Sequence, residues 1–122
     1  MQYRKLPKGA EQISVLGIGT SSIQASSEKE IKKIVDAAIE NGINFFDMAS
    51  SEAKPFAAYG HAIKGRRNKV YFQIHFGANY ETGAYGWTTN LDIVKRSVDW
   101  QMKELQTDYI DFGFIHCIDE PA

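Results

Sequence analysis

Residues 41–56, which read NGINFFDMASSEAKPF, carry the signals for one complete passage from helix to strand to helix. The Asn-Gly pair at 41–42 ends a helix, because glycine readily adopts the left-handed backbone that follows a helical C-terminus. Residues 43–46 form a short apolar run, and Pro55 suits the first turn of the next helix. The stretch therefore predicts a buried strand between two helices, with the acid Asp47 at the carboxyl end of the strand.

The rest of the chain alternates predicted strands and helices in the same way. An N-terminal hairpin is predicted from two extended stretches, 2–7 and 11–15, on either side of a Lys-Gly turn at 8–9. Largely apolar strands are predicted at 16–20, 43–49, 69–77 and 109–117.

Three helices are predicted between these strands. The first follows a capping box formed by Ser27 and Glu30, and the second runs from Pro55 to about Lys64. The third carries an apolar stripe at helical spacing, formed by Leu91, Val94, Val98, Met102 and Leu105.

Apolar strands that are each followed by a helix imply a parallel sheet covered by helices, so the expected fold class is α/β. Four such steps fit either a small open sheet or half of a (β/α)8 barrel, since a complete barrel usually takes about 250 residues. The chain has 122 residues, and no composition shift divides it, so residues 1–122 are predicted to form a single domain.

Composition excludes several classes of function. The formal charge of −1 gives no reason to expect nucleic acid or an anionic membrane surface as a partner. No apolar run approaches the length of about 20 residues that a membrane span needs. Cys117 is the single cysteine and cannot form an internal disulfide, so a reducing cytoplasm is the expected compartment.

Ionisable side chains recur at the carboxyl ends of three predicted strands. Asp47, His75 and His116 are each in phase with an apolar row of their own strand, because side chains alternate along a strand. In barrels and in open α/β sheets, the carboxyl ends of the strands are where ligands bind. A lone strand-end acid is more often a turn residue, but three matched positions predict a shared site.

Several neighbouring residues have two interpretations. Tyr80, Tyr85 and Trp87 lie in the predicted loop at 78–89, where they either line a substrate pocket or pack the loop down. Cys117 should face away from the site, and a small core residue is the preferred interpretation. Glu52, taken alone, is a solvated loop acid that could also join the site.

Two further segments are interpreted without a functional role. The basic stretch KGRRNK at 64–69 is predicted to be a solvated helix end, where cations suit the helix dipole. The LGIGT segment at 16–20 lacks the G-x-G-x-x-G pattern, so it does not predict a Rossmann dinucleotide site.

The motifs QYRKL, ISVLGIGT, AAIENGINFFDMA, GHAIKGRRNKVYFQIHFG and LQTDYIDFGFIH, in this order, closely resemble the aldo-keto reductases. The resemblance covers essentially the whole chain. It implies the first half of a (β/α)8 barrel with an N-terminal hairpin closing the bottom. It also implies a nicotinamide cofactor, usually NADPH, and the reduction of a small-molecule carbonyl substrate to an alcohol.

The resemblance further implies a catalytic tetrad of Asp, Tyr, Lys and His. The family's Asp falls on Asp47 and its His on His116, whereas its Tyr position is occupied by Glu52 and its Lys position by His75. Contacts to the nicotinamide or its ribose fall on Gly19, Thr20 and Asp47. The two replacements affect the proton donor, since hydride delivery to a carbonyl carbon leaves an oxygen that must be protonated.

Several substitutes for the missing donor remain open. Glu52 could act as the acid if burial or the charge of Asp47 kept it protonated near neutral pH. His75 could take the cationic role or donate the proton, and Tyr80 or Tyr85 could swing in. For this chain by itself, absent or weak reductase activity is expected.

Three alternatives accompany this hypothesis. The chain could be a non-catalytic pseudo-enzyme or binding protein on the same scaffold. Two histidines and two carboxylates could instead form a Zn²⁺ or Fe²⁺ site, although no metal is the preferred prediction. A half barrel leaves two sheet edges unpaired, so either a missing C-terminal half or a homodimer of two halves is expected.

Overall fold

The computed structural model describes residues 1–117, in which helices and strands alternate as the sequence predicts. The strands are β1 (Tyr3–Lys5), β2 (Gln12–Ser14), β3 (Gly17–Gly19), β4 (Phe45–Met48), β5 (Tyr71–Phe76), β6 (Ala78–Asn79), β7 (Gly86–Trp87) and β8 (Phe112–Ile115). The helices are α1 (Glu28–Glu40), α2 (Lys54–Ala62) and α3 (Leu91–Glu104), with a short 3-10 helix at Arg67–Lys69. No helix within these residues has the length and apolar character to cross a membrane.

The central element is a parallel four-stranded sheet with the order β3-β4-β5-β8. One face packs against the helices and is fully buried at Phe46, Met48, Phe72 and Ile74. The opposite face carries the alternate residues, because side chains of a strand point to opposite sides in turn. The predicted α/β class with parallel strands is confirmed.

The N-terminal hairpin lies at the amino end of the sheet. β1 and β2 pair antiparallel, and Ser14 and Asn44 exchange two hydrogen bonds of 2.8 Å and 3.0 Å that join the hairpin to the start of β4. The opposite, carboxyl end of the sheet is therefore the end where the site residues gather.

Helix α1 begins as predicted. The Ser27 side chain accepts a bond from the Glu30 backbone N–H, and the Glu30 carboxylate accepts one from the Ser27 backbone, which completes the capping box. This arrangement satisfies two of the amide groups that a helix N-terminus leaves unpaired.

The apolar stripe predicted on α3 is only partly correct. Leu105 is fully buried and Val98 packs on the core, but Leu91 is 71% exposed. The buried residues within the helix are Ser97 and Gln101. The helix is rotated from the predicted face because the Ser97 hydroxyl donates to the Ala78 carbonyl at 2.6 Å.

The prediction that 64–69 is a solvated helix end is wrong for its two arginines. Helix α2 ends at Ala62, and Arg66 instead pairs with Asp36 of α1. Arg67 is mostly buried and bonds to Asp111 at 2.7 Å, while Asp111 also accepts the Phe72 amide at 2.8 Å. Arg67 therefore ties the start of β5 to the segment that leads into β8.

Candidate active site

Asp47, His75 and His116 meet at the carboxyl edge of the sheet. The Nε2 atom of His75 lies 2.6 Å from Oδ1 of Asp47, and the two Nδ1 atoms of His75 and His116 lie 2.9 Å apart. Strand pairing produces this arrangement, since β4, β5 and β8 are neighbours in the sheet and the three residues share its open face. The structure thus brings together three of the four predicted catalytic side chains.

A tyrosine from the β5–α3 connection extends this arrangement. The hydroxyl of Tyr85 lies 2.6 Å from Nε2 of His116, and the two rings are in edge-to-face contact at 5.4 Å. We call the hydrogen-bonded series Asp47, His75, His116 and Tyr85 the polar row. Gln73, the β5 residue two positions before His75, adds a side bond of 3.0 Å to Asp47.

The β6–β7 hairpin holds Tyr85 in place. Gly77, with φ +105°, turns the chain out of β5, and the Tyr85 amide then bonds to the Ser51 carbonyl at 2.9 Å. Trp87 donates its indole N–H to the His116 carbonyl at 3.0 Å. These bonds fix the loop predicted at 78–89 over the end of the sheet.

Burial and hydrogen bonding shift the titration of three members of the polar row. Burial alone would raise the pKa of Asp47, but hydrogen bonds from His75 and Gln73 outweigh it and hold the pKa below its usual range. Burial, and then the charge of His75, lower the pKa of His116. Burial, followed by the neighbouring Cys117, raises the pKa of Tyr85.

A cleft of about 290 Å³ opens beside the polar row. It is lined by Ser21, Ala49, Ser50, Ser51, Ala78, Tyr80, Tyr85 and His116. Hydroxyl groups and two aromatic rings suit a small polar organic ligand. This lining includes neither lysine nor arginine within the described part of the chain, so the cleft itself offers no cation for a phosphate group.

The remaining loop residues divide between packing and the cleft. Tyr80 is 4% exposed, packs on Phe56 and Trp100, and exchanges hydrogen bonds with the Ser50 backbone. Tyr85 is 40% exposed and borders the cleft. Tyr80 therefore packs the loop down and also lines the cleft, whereas Tyr85 lines the cleft from an exposed position.

Glu52 does not join the polar row in the structure. It is exposed and forms an isolated bridge with Ala84, and its amide bonds to the Ser50 hydroxyl at 3.2 Å. The expectation that Cys117 is a small core residue is wrong, since this residue is exposed. Its backbone has φ +52°, so the strand's alternation does not continue to it.

The residues predicted to contact the cofactor differ in their accessibility. Gly19 is exposed, and no other atom lies within 4 Å of the space that a side chain would take there. Thr20 is fully buried, and its hydroxyl donates to the Ala49 carbonyl, so this side chain holds the β3–α1 turn to β4. Asp47 has 34% of its side chain exposed on the open face.

Residues 1–117 contain no group of three His, Cys, Asp or Glu side chains placed to hold a metal ion. In the polar row, each ring nitrogen of His75 already faces another protein atom within hydrogen-bond distance.

Sequence reasoning named Tyr85 only as one of several possible proton donors, and it missed the contact of Gln73 with Asp47. The parity of β5 places Gln73 on the same face as His75, so its contact with Asp47 could have been found by that signal. No periodicity places Tyr85, because its position depends on the turn at Gly77 and on the β6–β7 pairing.

A parallel sheet with a polar row at its carboxyl edge and a hairpin at its amino edge matches the arrangement of the first part of a (β/α)8 barrel. The family comparison agrees, because the model of the Aldo/keto reductase family matches residues 15–122. The chain belongs to this family of oxidoreductases.

Relatives and solved structures of the same family are similar over most of this chain. An uncharacterized oxidoreductase, YqkF of Bacillus subtilis, is 32% identical over 95% of the chain and 39% of its own length. The holo form of the aldo-keto reductase AKR11C1 from Bacillus halodurans superposes with a TM-score of 0.79 and 30% identity, over 93% of this chain and 39% of that one.

A Klebsiella pneumoniae aldo-keto reductase in complex with NADPH shows the same fold, with a TM-score of 0.73 at 18% identity. The match covers 99% of this chain and 42% of that one. The present chain thus spans about two fifths of the length of the proteins that it matches.

Proposed function

We propose that this chain carries the reactive part of a nicotinamide-dependent site that interconverts carbonyls and alcohols. The observation that carries the proposal is the polar row, in which Asp47, His75 and His116 lie in hydrogen-bond contact at the carboxyl edge of the sheet. A neighbouring cleft gives a small carbonyl compound access to His116. In this proposal, Glu52 occupies the tetrad position that is Tyr in the family, and His75 occupies the position that is Lys.

The described residues fit the reactive end of a nicotinamide cofactor. When bound, NADPH or NADH would supply a hydride to the carbonyl carbon. Gly19 leaves open space at the end of β3, and Asp47 presents a partly exposed carboxylate on the same face. We propose NADPH first and NADH as the alternative, because the family that the chain belongs to implies a nicotinamide cofactor that is usually NADPH.

Titration with NADPH, followed by cofactor fluorescence, tests cofactor binding. NADH is titrated in parallel, and a panel of small aldehydes and ketones follows for any cofactor that binds. We expect NADPH to bind and the chain alone to show weak turnover. No binding at millimolar concentrations of either cofactor would contradict the proposal for this chain.

A substitution at Gly19 tests the position of the cofactor. Because open space surrounds this residue, Gly19→Leu should fold normally and weaken NADPH binding at least about tenfold through steric exclusion. Thermal unfolding provides the folding control. Unchanged NADPH affinity in a folded variant would place the cofactor elsewhere.

A non-catalytic binding protein is the second candidate function. It is favoured by the exposed position of Glu52, which leaves the family's proton-donor position without a side chain in the polar row. Cofactor binding without turnover of any carbonyl in the panel would support this candidate. Turnover that depends on His75 would exclude it.

The wider setting of the site is also proposed. The open sheet edges at β3 and β8 favour completion by the rest of a barrel or by a second copy of the chain. The cytoplasm is the proposed compartment, because a single cysteine gives no sign of a disulfide framework.

A further inference from the structure

The distances in the polar row allow only a few consistent placements of its protons. The chain of contacts has three gaps: Tyr85 to His116, His116 to His75, and His75 to Asp47. A good hydrogen bond needs one proton in each gap, and a neutral imidazole carries one N–H and one bare nitrogen. The arrangement therefore couples the protonation of the two histidines.

When both imidazoles are neutral, one arrangement fills all three gaps. His75 donates from Nε2 to the Asp47 carboxylate, His116 donates from Nδ1 to His75, and Tyr85 donates its hydroxyl proton to Nε2 of His116. In this state the Tyr85 proton faces the protein rather than the cleft.

A second proton on His75 reverses the other two bonds. His75 then donates from Nδ1 to His116, and His116 must carry its proton on Nε2 and donate to the Tyr85 oxygen. The Tyr85 proton is thereby freed to point away from His116. Because Tyr85 borders the cleft, its hydroxyl can then donate to a ligand oxygen there.

We propose that Tyr85 is the proton donor of this site and that His116 and His75 resupply its proton as a relay. The inference rests on the proposed function for the identity of the proton acceptor. Tyr85, in the β5–α3 connection, thereby takes the role of proton donor. Neither Glu52 nor a tyrosine after β4 fills this role.

The relay balances the reduction of a carbonyl. As the carbonyl carbon accepts a hydride from the reduced nicotinamide, the C=O π bond opens and its oxygen takes the proton of Tyr85. The Tyr85 oxygen takes the Nε2 proton of His116, and Nδ1 of His116 takes the Nδ1 proton of His75. The products are an alcohol, an oxidised nicotinamide and a neutral His75 still bonded to Asp47. After the alcohol leaves, water in the cleft protonates the Tyr85 oxygen, the Tyr85 proton passes to Nε2 of His116, and the Nδ1 proton of His116 passes to Nδ1 of His75. This restores the starting state, and the opposite sequence serves alcohol oxidation.

Other nearby acids are less suited to the role. The Tyr80 hydroxyl is committed to the Ser50 backbone at 3.0 Å, and its ring is 4% exposed. Glu52 is exposed and outside the polar row. Tyr85 combines a 2.6 Å contact to His116 with access to the cleft.

The electrostatic environment is consistent with a relay. Burial, followed by the neighbouring Cys117, raises the pKa of Tyr85, so the phenol keeps its proton until it meets an acceptor in the cleft. An imidazole whose pKa is lowered passes a proton on rather than retaining it, and His116 has that property. The ionisable partners of the two histidines are Asp47 and Tyr85, and Tyr80 and Cys117 lie next to Tyr85.

Histidine ¹⁵N NMR of the cofactor-free chain tests the relay without any activity measurement. The chain has three histidines, and His61, exposed on α2 and paired with Glu28, is an internal reference. About two pH units above the ordinary imidazole pKa of about 6.5, His116 should carry its proton on Nδ1. At lower pH, the reversed arrangement predicts that His116 switches to the Nε2–H form while its ring remains neutral.

The variant Tyr85→Phe removes only the hydroxyl and retains the ring. It should shift the Nε2 signal of His116 and leave the His61 signals unchanged. His116 present as the Nε2–H form at high pH, or unchanged by Tyr85→Phe, would overturn the relay. The wild-type pH titration decides this point even if the variant fails to fold.

Kinetics in the cofactor-loaded chain test the donor role. Tyr85→Phe should lower kcat by about 10²-fold or more, as expected for loss of a general acid, with little change in cofactor affinity. Loss of less than about threefold would overturn the role of Tyr85. If the His116 switch occurs but no cofactor binds, the relay stands and the proposed function fails, so the two failures are distinguishable.

Discussion

The His75 side chain joins the two halves of the polar row. One ring nitrogen contacts Asp47 and the other contacts His116, and the ring lies 5.2 Å from that of Phe114. Its side chain is only 10% exposed, so neither contact is easily replaced by water. A side chain at this position must therefore bridge two partners, which an imidazole can do because it has two ring nitrogens.

Substitutions at His75 and Glu52 should show which of the two residues contributes to catalysis. The structure places His75 in the polar row, whereas Glu52 is implicated only by its spacing from Asp47. In the cofactor-loaded chain, His75→Gln should lower kcat by about 10²-fold, because an amide can bond to Asp47 but cannot transfer a proton. Glu52→Gln should change kcat less than about twofold, because this residue is exposed and outside the polar row. Steady-state kinetics with both variants provide the measurement. The reverse order of effects would restore Glu52 as the acid.

Asp47 should make the stability of the chain depend on pH. Its pKa is lowered in the folded state, so the ionised carboxylate contributes stability above its unfolded value near 3.9. That contribution is lost as the pH falls through the lower, folded pKa. The difference in unfolding free energy between wild type and Asp47→Asn should thus be larger at about pH 6 than at about pH 3.

Urea denaturation at both pH values measures this difference. Asp108→Asn, at an exposed position, is the matched control for the loss of one negative charge. A gap between wild type and Asp47→Asn that stays constant, or widens on acidification, would contradict the role given to the hydrogen bonds from His75 and Gln73.

The alternation of side chains along a strand explains which site residues can be predicted from the sequence. Asp47, His75 and His116 were found because alternation along a strand fixes the face of each side chain. Tyr85 could not be selected over Tyr80, because the choice depends on loop turns and not on a period. Glu52 was placed by counting from Asp47, which does not determine where a loop side chain points.

Among the elements, the close approach of α2 and α3 depends on a single glycine. A Cβ at Gly60 would lie 2.3 Å from the carbonyl oxygen of Glu104 and 2.9 Å from the carbonyl carbon of Leu105. These are backbone atoms, so no side-chain rotation relieves the clash. The two helices can therefore pack at this distance only with glycine at position 60.

Gly60→Ala should lower the free energy of unfolding by about 1–3 kcal/mol through this overpacking. Gly86→Ala is the control, because its Cβ would have one ordinary contact at 3.5 Å. Chemical denaturation of both variants tests the expectation. Equal stability of Gly60→Ala and Gly86→Ala would show that the helices separate without cost.

The elements also show the limits of sequence patterns. The capping box of α1 and the order of strands and helices followed directly from local signals. The rotation of α3 did not, since it depends on a hydrogen bond from Ser97 to another element. Arg67 was assigned to solvent because its sequence neighbours are basic, whereas its partner Asp111 lies 44 positions away.

On the scale of the whole molecule, the sheet leaves apolar surface uncovered. Phe114 and Ile115 of β8 are 51% and 68% exposed, and β8 is an edge of the four-stranded sheet in the described residues. On the open face, Phe112 contacts the rings of Phe45 and Tyr71. Apolar residues on an exposed strand edge favour pairing with another chain or segment.

The isolated chain should therefore self-associate, and Ile115→Lys should weaken that association at least about tenfold by placing a charge in the contact. Leu91→Lys is the control, since Leu91 is 71% exposed and lies on α3 rather than on β8. Analytical ultracentrifugation over a range of concentrations measures both variants. Equal association of wild type and Ile115→Lys would exclude the β8 edge as the contact.

The side chains of the polar row are held in place in two different ways, and this affects how the ligand preference of the site can be changed. Asp47, His75 and His116 are held by paired strands, whereas Tyr85 is held by a short hairpin whose backbone bonds to Ser51, Ala53 and Gly77. Changing the exposed tip of the hairpin alters the surface that meets the ligand while the sheet keeps its register. Substrate preference can thus be engineered in the exposed residues 81–84, whereas Ala78 and Tyr80 are buried in the core and must be kept.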